Sequence, residues 1–217
     1  MGRRSLLLMA SLATLVVLAF VWSLSQETET KTSLQPFGGP FTLTDHTGDP
    51  FSLSSVSGSY VLIFFGFTHC PDACPLGLKK ISDALALLPE PSSSRLVPLF
   101  ITVDPARDTP EALAAYLNSF SPKIIGLTGT QAQIADVTKR YAIYAEKVSL
   151  NTPPAGPDAH HEHGQAHHGS NQTDTDYSVD HTTHFILLDP QGNFLKVYST
   201  DQTAEDLARD LTLVMGR

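Results

Sequence analysis

Cys70 and Cys74 are the two cysteines of a 217-residue chain, and they share one phrase, Gly66-Phe67-Thr68-His69-Cys70-Pro71-Asp72-Ala73-Cys74-Pro75. The phrase follows the apolar run Tyr60-Val61-Leu62-Ile63-Phe64-Phe65, which reads as a buried strand, and a Pro-Asp pair then turns the chain toward a helix. The thiols are therefore presented at a strand end. With both in the first helical turn, their i, i+4 spacing puts two sulfurs on one face, within reach of a disulfide or of one shared metal ion. The competing reading is a structural staple or a pair of inert core thiols. A bridge closing so short a loop would stabilise little, and an inert pair needs no Cys-Pro-x-x-Cys-Pro frame.

Several elements must hold that phrase in place. Phe41-Thr42-Leu43 and Phe51-Ser52-Leu53 flank a turn at Asp45 to Asp49 and read as a hairpin. Leu78, Ile81, Leu85 and Leu88 recur at helical spacing, so the cysteine turn leads into a helix that Pro89 and Pro91 end. Leu96 to Val103 is another buried strand. Thr109-Pro110 caps and opens a helix with Leu113, Tyr116, Leu117 and Phe120 on one face, and Thr130 with Gln133 makes a capping box ahead of Ile134, Val137 and Tyr141. Phe185 to Leu188 and Phe194 to Tyr198 form a hairpin about Asp189-Pro190-Gln191-Gly192-Asn193, and Thr203 starts a last helix through Leu207, Leu211 and Val214. Strands alternating with helices predict an α/β sheet with helices on both faces, and a cysteine at a strand-to-helix junction makes that sheet thioredoxin-like.

Arg3 and Arg4 precede an uncharged stretch from Ser5 to Gln26, long enough at helical rise to cross a bilayer. Arginines before it and Glu27 and Glu29 after it predict one N-terminal transmembrane helix with its start inside and the remainder outside. A cleaved signal peptide is the other reading, and the stretch is slightly long for one, with no clear Ala-x-Ala site near its end. The expected organisation is an anchor over 1–26, a tether over 27–40 and a single domain over 41–217. The formal net charge is −8, and with Arg3 and Arg4 set apart the remainder carries −10. That acidity excludes nucleic acid and anionic lipid as partners of the domain and suits a basic partner face or a cation as cargo.

Taken together, Cys70-Pro71-Asp72-Ala73-Cys74-Pro75, the run Val103-Asp104-Pro105-Ala106-Arg107-Asp108-Thr109-Pro110, Gly126-Leu127-Thr128-Gly129, and Asp180-His181 followed by Leu188-Asp189-Pro190-Gln191-Gly192 resemble the Sco/SenC family. These are membrane-anchored, thioredoxin-like copper proteins that help assemble the dinuclear copper centre of cytochrome c oxidase. The resemblance covers nearly the whole domain, with the motifs in order. It implies that Cys70, Cys74 and His181 bind copper. It also implies a copper chaperone of the bacterial inner membrane, single-pass, with its C-terminal domain in the periplasm. The implied partners are the copper-bearing subunit of cytochrome c oxidase, and other copper chaperones or a thiol reductant. Two thiolates are soft donors suited to Cu(I), and an added imidazole lets the set also hold Cu(II). A helix N-terminus favours the thiolate form. Asp180 is a candidate to orient the His181 ring, although adjacent side chains on a strand point apart.

Other chemistry-bearing residues have plainer readings. His69 reads as a solvated loop residue. His184, three positions past His181 in an extended run, falls on the opposite face. Asp104 and Arg107 lie just beyond a strand's C-terminal end, where an ion pair or turn cap explains them as well as a site does. A histidine-rich loop at about 151–175, with His160, His161, His163, His167 and His168, is either a metal-collecting insertion or a tolerated surface one. The competing function is enzymatic, a thiol-disulfide reductase that keeps the oxidase subunit's copper-ligand cysteines reduced. Thioredoxin-type reductases carry two residues between their cysteines and a proline ahead of the facing strand; this chain has three residues there and no proline from Asp180 to Leu188. A peroxidase of the peroxiredoxin type fits the paired cysteine frame poorly.

Overall fold

The computed structural model describes residues 37–149 and 177–216, together with Gly2. The expected anchor over 1–26, most of the tether and the histidine-rich stretch lie outside the described residues. Among the described residues no helix is long and apolar enough to cross a membrane.

Strand β3 (Tyr60–Gly66) is buried along its whole length, as its unbroken apolar run requires of a central strand. It pairs in parallel with β4 (Leu96–Thr102), which pairs in parallel with β5 (Ile125–Thr128). On its other side it meets β8 (His184–Leu188) antiparallel, and β8 forms the expected hairpin with β9 (Phe194–Ser199). The hairpin β1 (Thr42–Asp45) and β2 (Pro50–Ser52) joins through β1 to β5, giving the order β2-β1-β5-β4-β3-β8-β9. A short ribbon of β6 (Ala145–Ser149) and β7 (Tyr177–His181) stands as a separate two-stranded sheet, and residues 150–176 connect its strands.

The alternation of β3 side chains shows how both faces of the sheet are covered. Phe64 faces helix α1 (Ala73–Leu87), where a Cβ on Gly77 would lie 2.6 Å from its ring. Phe100, level with Phe64 on β4, points the same way and meets Tyr116 of helix α2 (Pro110–Leu117) with ring centroids 6.0 Å apart. Phe65 faces the opposite side and packs on Tyr141, which closes helix α3 (Gln131–Arg140), at 5.8 Å. The last helix, α4 (Ala204–Met215), packs against α1. The layers expected of a thioredoxin-like α/β fold are present.

The helix starts are those the sequence marks. Thr109 accepts from the Ala112 amide ahead of Pro110, Thr130 and Gln133 complete a capping box, and Thr203 accepts from Asp206. Helix α1 differs from expectation. It begins at Ala73, so Cys70 lies ahead of the helix and Cys74 within its first turn. Residues 71–72 therefore shape the approach of the two thiols, and shared helical spacing does not.

Gly77 lets α1 lie directly on Phe64. Ala in its place gains about 1 kcal/mol of helix propensity and loses about 1–3 kcal/mol to overpacking against a buried ring. Gly77→Ala should therefore lower the urea midpoint at unchanged m-value. A raised midpoint would show that Phe64 has room to yield.

Candidate metal and redox site

The two thiols occupy unlike places. Cys74 is fully buried at the start of α1, and Cys70 is half-buried in the loop before it. The Cys74 sulfur lies against the backbone of Gly66, where a Cβ would come within 2.6 Å of both that sulfur and the Phe100 ring. Glycine at the end of β3 is thus a steric condition for the buried thiol.

Cys70 accepts the backbone N–H of Cys74 at 3.4 Å, so its sulfur serves as a cap on the first turn of α1. The S–H that Cys74 donates is the largest influence holding the Cys70 thiol down to about 5. The amides of Asp72 and Cys74 add to it and burial opposes it. Cys74 moves upward, because donating to Cys70 fixes its proton, burial penalises a charge there, and the Cys70 thiolate lies beside it. The two thiols are thus driven apart, Cys70 toward the thiolate and Cys74 toward the thiol.

His181, 107 residues away in sequence, completes the cluster with Nε2 3.5 Å from the Cys74 sulfur. Its Nδ1 lies 3.3 Å from the Val179 carbonyl, a contact that orients the ring and turns Nε2 toward the sulfur. The backbone therefore does the orienting that the sequence offered to Asp180, whose side chain is exposed. Phe67 meets the imidazole edge-on at 5.4 Å.

A buried carboxylate that the sequence reading left unassigned fixes the loop carrying Cys70. Asp108 is fully buried and accepts from the Thr68 amide at 3.0 Å, the Thr68 hydroxyl at 2.6 Å and the Thr102 hydroxyl at 2.6 Å. It ties β4 to the end of β3. The signal for it was the pair of aspartates in Asp104-Pro105-Ala106-Arg107-Asp108, two carboxylates in a loop that follows a buried strand. Asp104 and Arg107 do form the expected ion pair, at 2.5 Å with Asp104 fully buried.

His69 is exposed, with Nδ1 3.0 Å from the Thr68 hydroxyl and 4.0 Å from Asp108, as a solvated loop residue should be. His184 does not continue the His181 strand. Thr182 and Thr183 separate β7 from β8, and His184 opens β8 half-buried, its pKa lowered by burial.

The structure thus brings together two sulfurs and one imidazole nitrogen, with Cys74 touching both others. Among the described residues no group of three or more His, Cys, Asp or Glu side chains is drawn close enough to cage a metal ion as it stands. The arrangement can form a disulfide, or hold a soft cation in place of the Cys74 proton.

A family model described as SCO1/SenC matches residues 29–216. The protein sco1 of Schizosaccharomyces pombe is 40% identical over 172 residues, 79% of this chain and 58% of that protein. The chain therefore spans a little over half of that relative's length. Among solved structures, Bradyrhizobium japonicum ScoI with copper bound is 38% identical with a TM-score of 0.67, covering 82% of this chain and 98% of that one. Yeast Sco1 with copper bound is 34% identical with a TM-score of 0.66, covering 83% and 89%.

Alkylation reads the thiol asymmetry directly. The rate at Cys70, followed by mass spectrometry, should rise through a midpoint near pH 5, above which the thiolate predominates. Cys74→Ala removes the S–H that contributes most, so the midpoint should move up toward the ordinary thiol range and the rate at pH 6 should fall. A midpoint unchanged in that variant would assign the shift to the helix amides alone.

Proposed function

Because the chain belongs to the SCO1/SenC family, we propose that it is a copper chaperone that binds copper through Cys70, Cys74 and His181 and delivers it to the dinuclear copper centre of cytochrome c oxidase. The observation that carries the reading is the contact of Cys74 with His181 across 107 residues of sequence, beside a thiolate at Cys70. Two sulfurs and one imidazole form a three-donor set suited to Cu(I), and the imidazole extends it to Cu(II). The copper-bound relatives support the same cargo. The residues from Ser5 to Gln26 anchor the protein in the bacterial inner membrane, single-pass, with the domain in the periplasm beside the oxidase.

Redox state gates release in this proposal. In the copper-loaded form both cysteines are thiolates; exchange with a disulfide oxidant takes two electrons from them, joins them as a disulfide and releases the oxidant as two thiols, so both ligands are lost and copper leaves. A thiol reductant restores the binding form through a mixed disulfide. One observation also serves a reductase acting on the oxidase subunit, namely a half-buried Cys70 thiolate able to attack a client disulfide with Cys74 behind it as the resolving thiol. The three-residue spacing and the histidine contact favour the chaperone.

Copper titration of the reduced protein, read by competition with a chromophoric chelator, tests the assignment. Cys70→Ala and Cys74→Ala should each abolish tight binding, and His181→Ala should weaken Cu(II) more than Cu(I) because the thiolates carry the softer ion. Parent affinity for both ions in the His181 variant would remove histidine from the ligand set. Rapid reduction of a client disulfide alongside weak copper binding would favour the reductase.

A further inference from the structure

His181 ends a strand tied to the main sheet at one end alone, where Thr182 and Thr183 lead into β8. The β6–β7 ribbon shares no ladder with the seven-stranded sheet, and its pairing, from Ser149 with Tyr177 to Ala145 with His181, fixes β7 only against β6. The Tyr177 end of β7, remote from β8, needs a hold of its own to keep the strand and its imidazole in place.

A buried carboxylate supplies the anchor. Asp104 has no solvent exposure, so its charge is tolerable only when paired and hydrogen-bonded. Arg107 Nε lies 2.5 Å from one carboxylate oxygen, and the Tyr177 hydroxyl donates to the other at 2.6 Å, with Lys147 of β6 at 4.0 Å. Arg107 also donates through Nη1 to the Tyr177 carbonyl at 3.0 Å and lies over the Tyr177 ring at 3.8 Å. Arg107 also lies 5.8 Å from the Phe67 ring centroid, and Phe67 in turn meets His181. Tyr177 is the first residue of β7 and His181 the last. The loop after β4 thus grips the strand at its start, and through Phe67 touches the imidazole at its end.

We propose that Tyr177, held by Asp104 and Arg107, is the positioning residue that sets His181 against the Cys70/Cys74 pair. The hydroxyl bond to a buried charge fixes the strand in depth, and the guanidinium clamped between Tyr177 and Phe67 fixes it laterally. Loosening either lets β7 shift on its ribbon, and Nε2 loses its place against the sulfur while the cysteines, fixed by Gly66, Asp108 and the start of α1, stay put.

The consequence for copper rests on the ligand role proposed for His181, so the test has a copper-free arm and a copper-bound arm. It uses the full-length reduced protein in detergent, with Tyr177→Phe, which keeps the ring and drops the hydroxyl, Asp104→Asn, and His181→Ala as reference. Without copper, the His181 imidazole shifts, including the displacement imposed by the Phe67 ring edge, should move toward solvent-exposed values in Tyr177→Phe and Asp104→Asn. With Cu(II), the imidazole nitrogen coupling in the electron paramagnetic spectrum should fade toward that of His181→Ala, with affinity about tenfold weaker and Cu(I) affinity little changed. A purely structural role predicts lower thermal stability with the imidazole shifts of the parent, and that result overturns the proposal even if copper binding is untouched. If the shifts move but His181→Ala binds copper like the parent, positioning stands and the ligand assignment fails. Should Asp104→Asn fail to fold, Tyr177→Phe carries the test alone.

Discussion

The thiols of Cys70 and Cys74 are held in unlike states, and the surrounding structure keeps them so. Cys70 is drawn toward the thiolate by the S–H it accepts and by amides at the start of α1, while Cys74 is kept a thiol by burial and by that neighbouring charge. The Cys74 proton can be exchanged for a soft cation bound by both sulfurs, or lost as two electrons leave to give a disulfide. In the proposed chaperone these are the loaded and empty states. Cys70 already meets the Cys74 amide and Cys74 already meets His181, so the residues that change state are neighbours in the fold.

Keeping these residues in place requires a rigid frame, and two buried carboxylates build it. Asp108 gathers Thr68 and Thr102, joining the ends of β3 and β4 beneath the cysteine loop. Asp104 gathers Arg107 and Tyr177 and so reaches the separate ribbon that carries His181. Each has no exposure, and stripping one partner from a buried charge costs about 3–5 kcal/mol, a large share of the stability of a domain this size. Both belong to one short loop. That loop is where the sulfur side and the histidine side of the site are joined.

Much of this was legible in the sequence because strong local signals agree with the fold. The run from Tyr60 to Phe65, the caps at Thr109, Thr130 and Thr203, and the hairpin about Asp189 to Asn193 are all present where their chemistry places them. Strand β5 was not foreseen, being four residues long with Gly126 inside it, and β6 was not foreseen because Ala145–Ser149 has a polar, surface-like composition. The cysteine turn was misjudged in one respect, since the Pro-Asp pair delays the helix to Ala73 and leaves Cys70 outside it. At the site, Cys70, Cys74 and His181 were named through the family resemblance and the structure gathers them. What no local pattern could reveal was Tyr177, Phe67 and the Val179 carbonyl, whose parts depend on contacts made only after the ribbon meets the sheet.

The central claim is a copper ion held by two sulfurs and one imidazole nitrogen of this chain. X-ray absorption at the copper edge, on the reduced full-length protein loaded with one equivalent of copper, measures that donor set directly. The account predicts a first shell of two sulfurs and one nitrogen, with the nitrogen's outer-shell imidazole scattering lost in His181→Ala. A shell of nitrogens and oxygens without sulfur, as the histidines between His160 and His168 would provide, would contradict it.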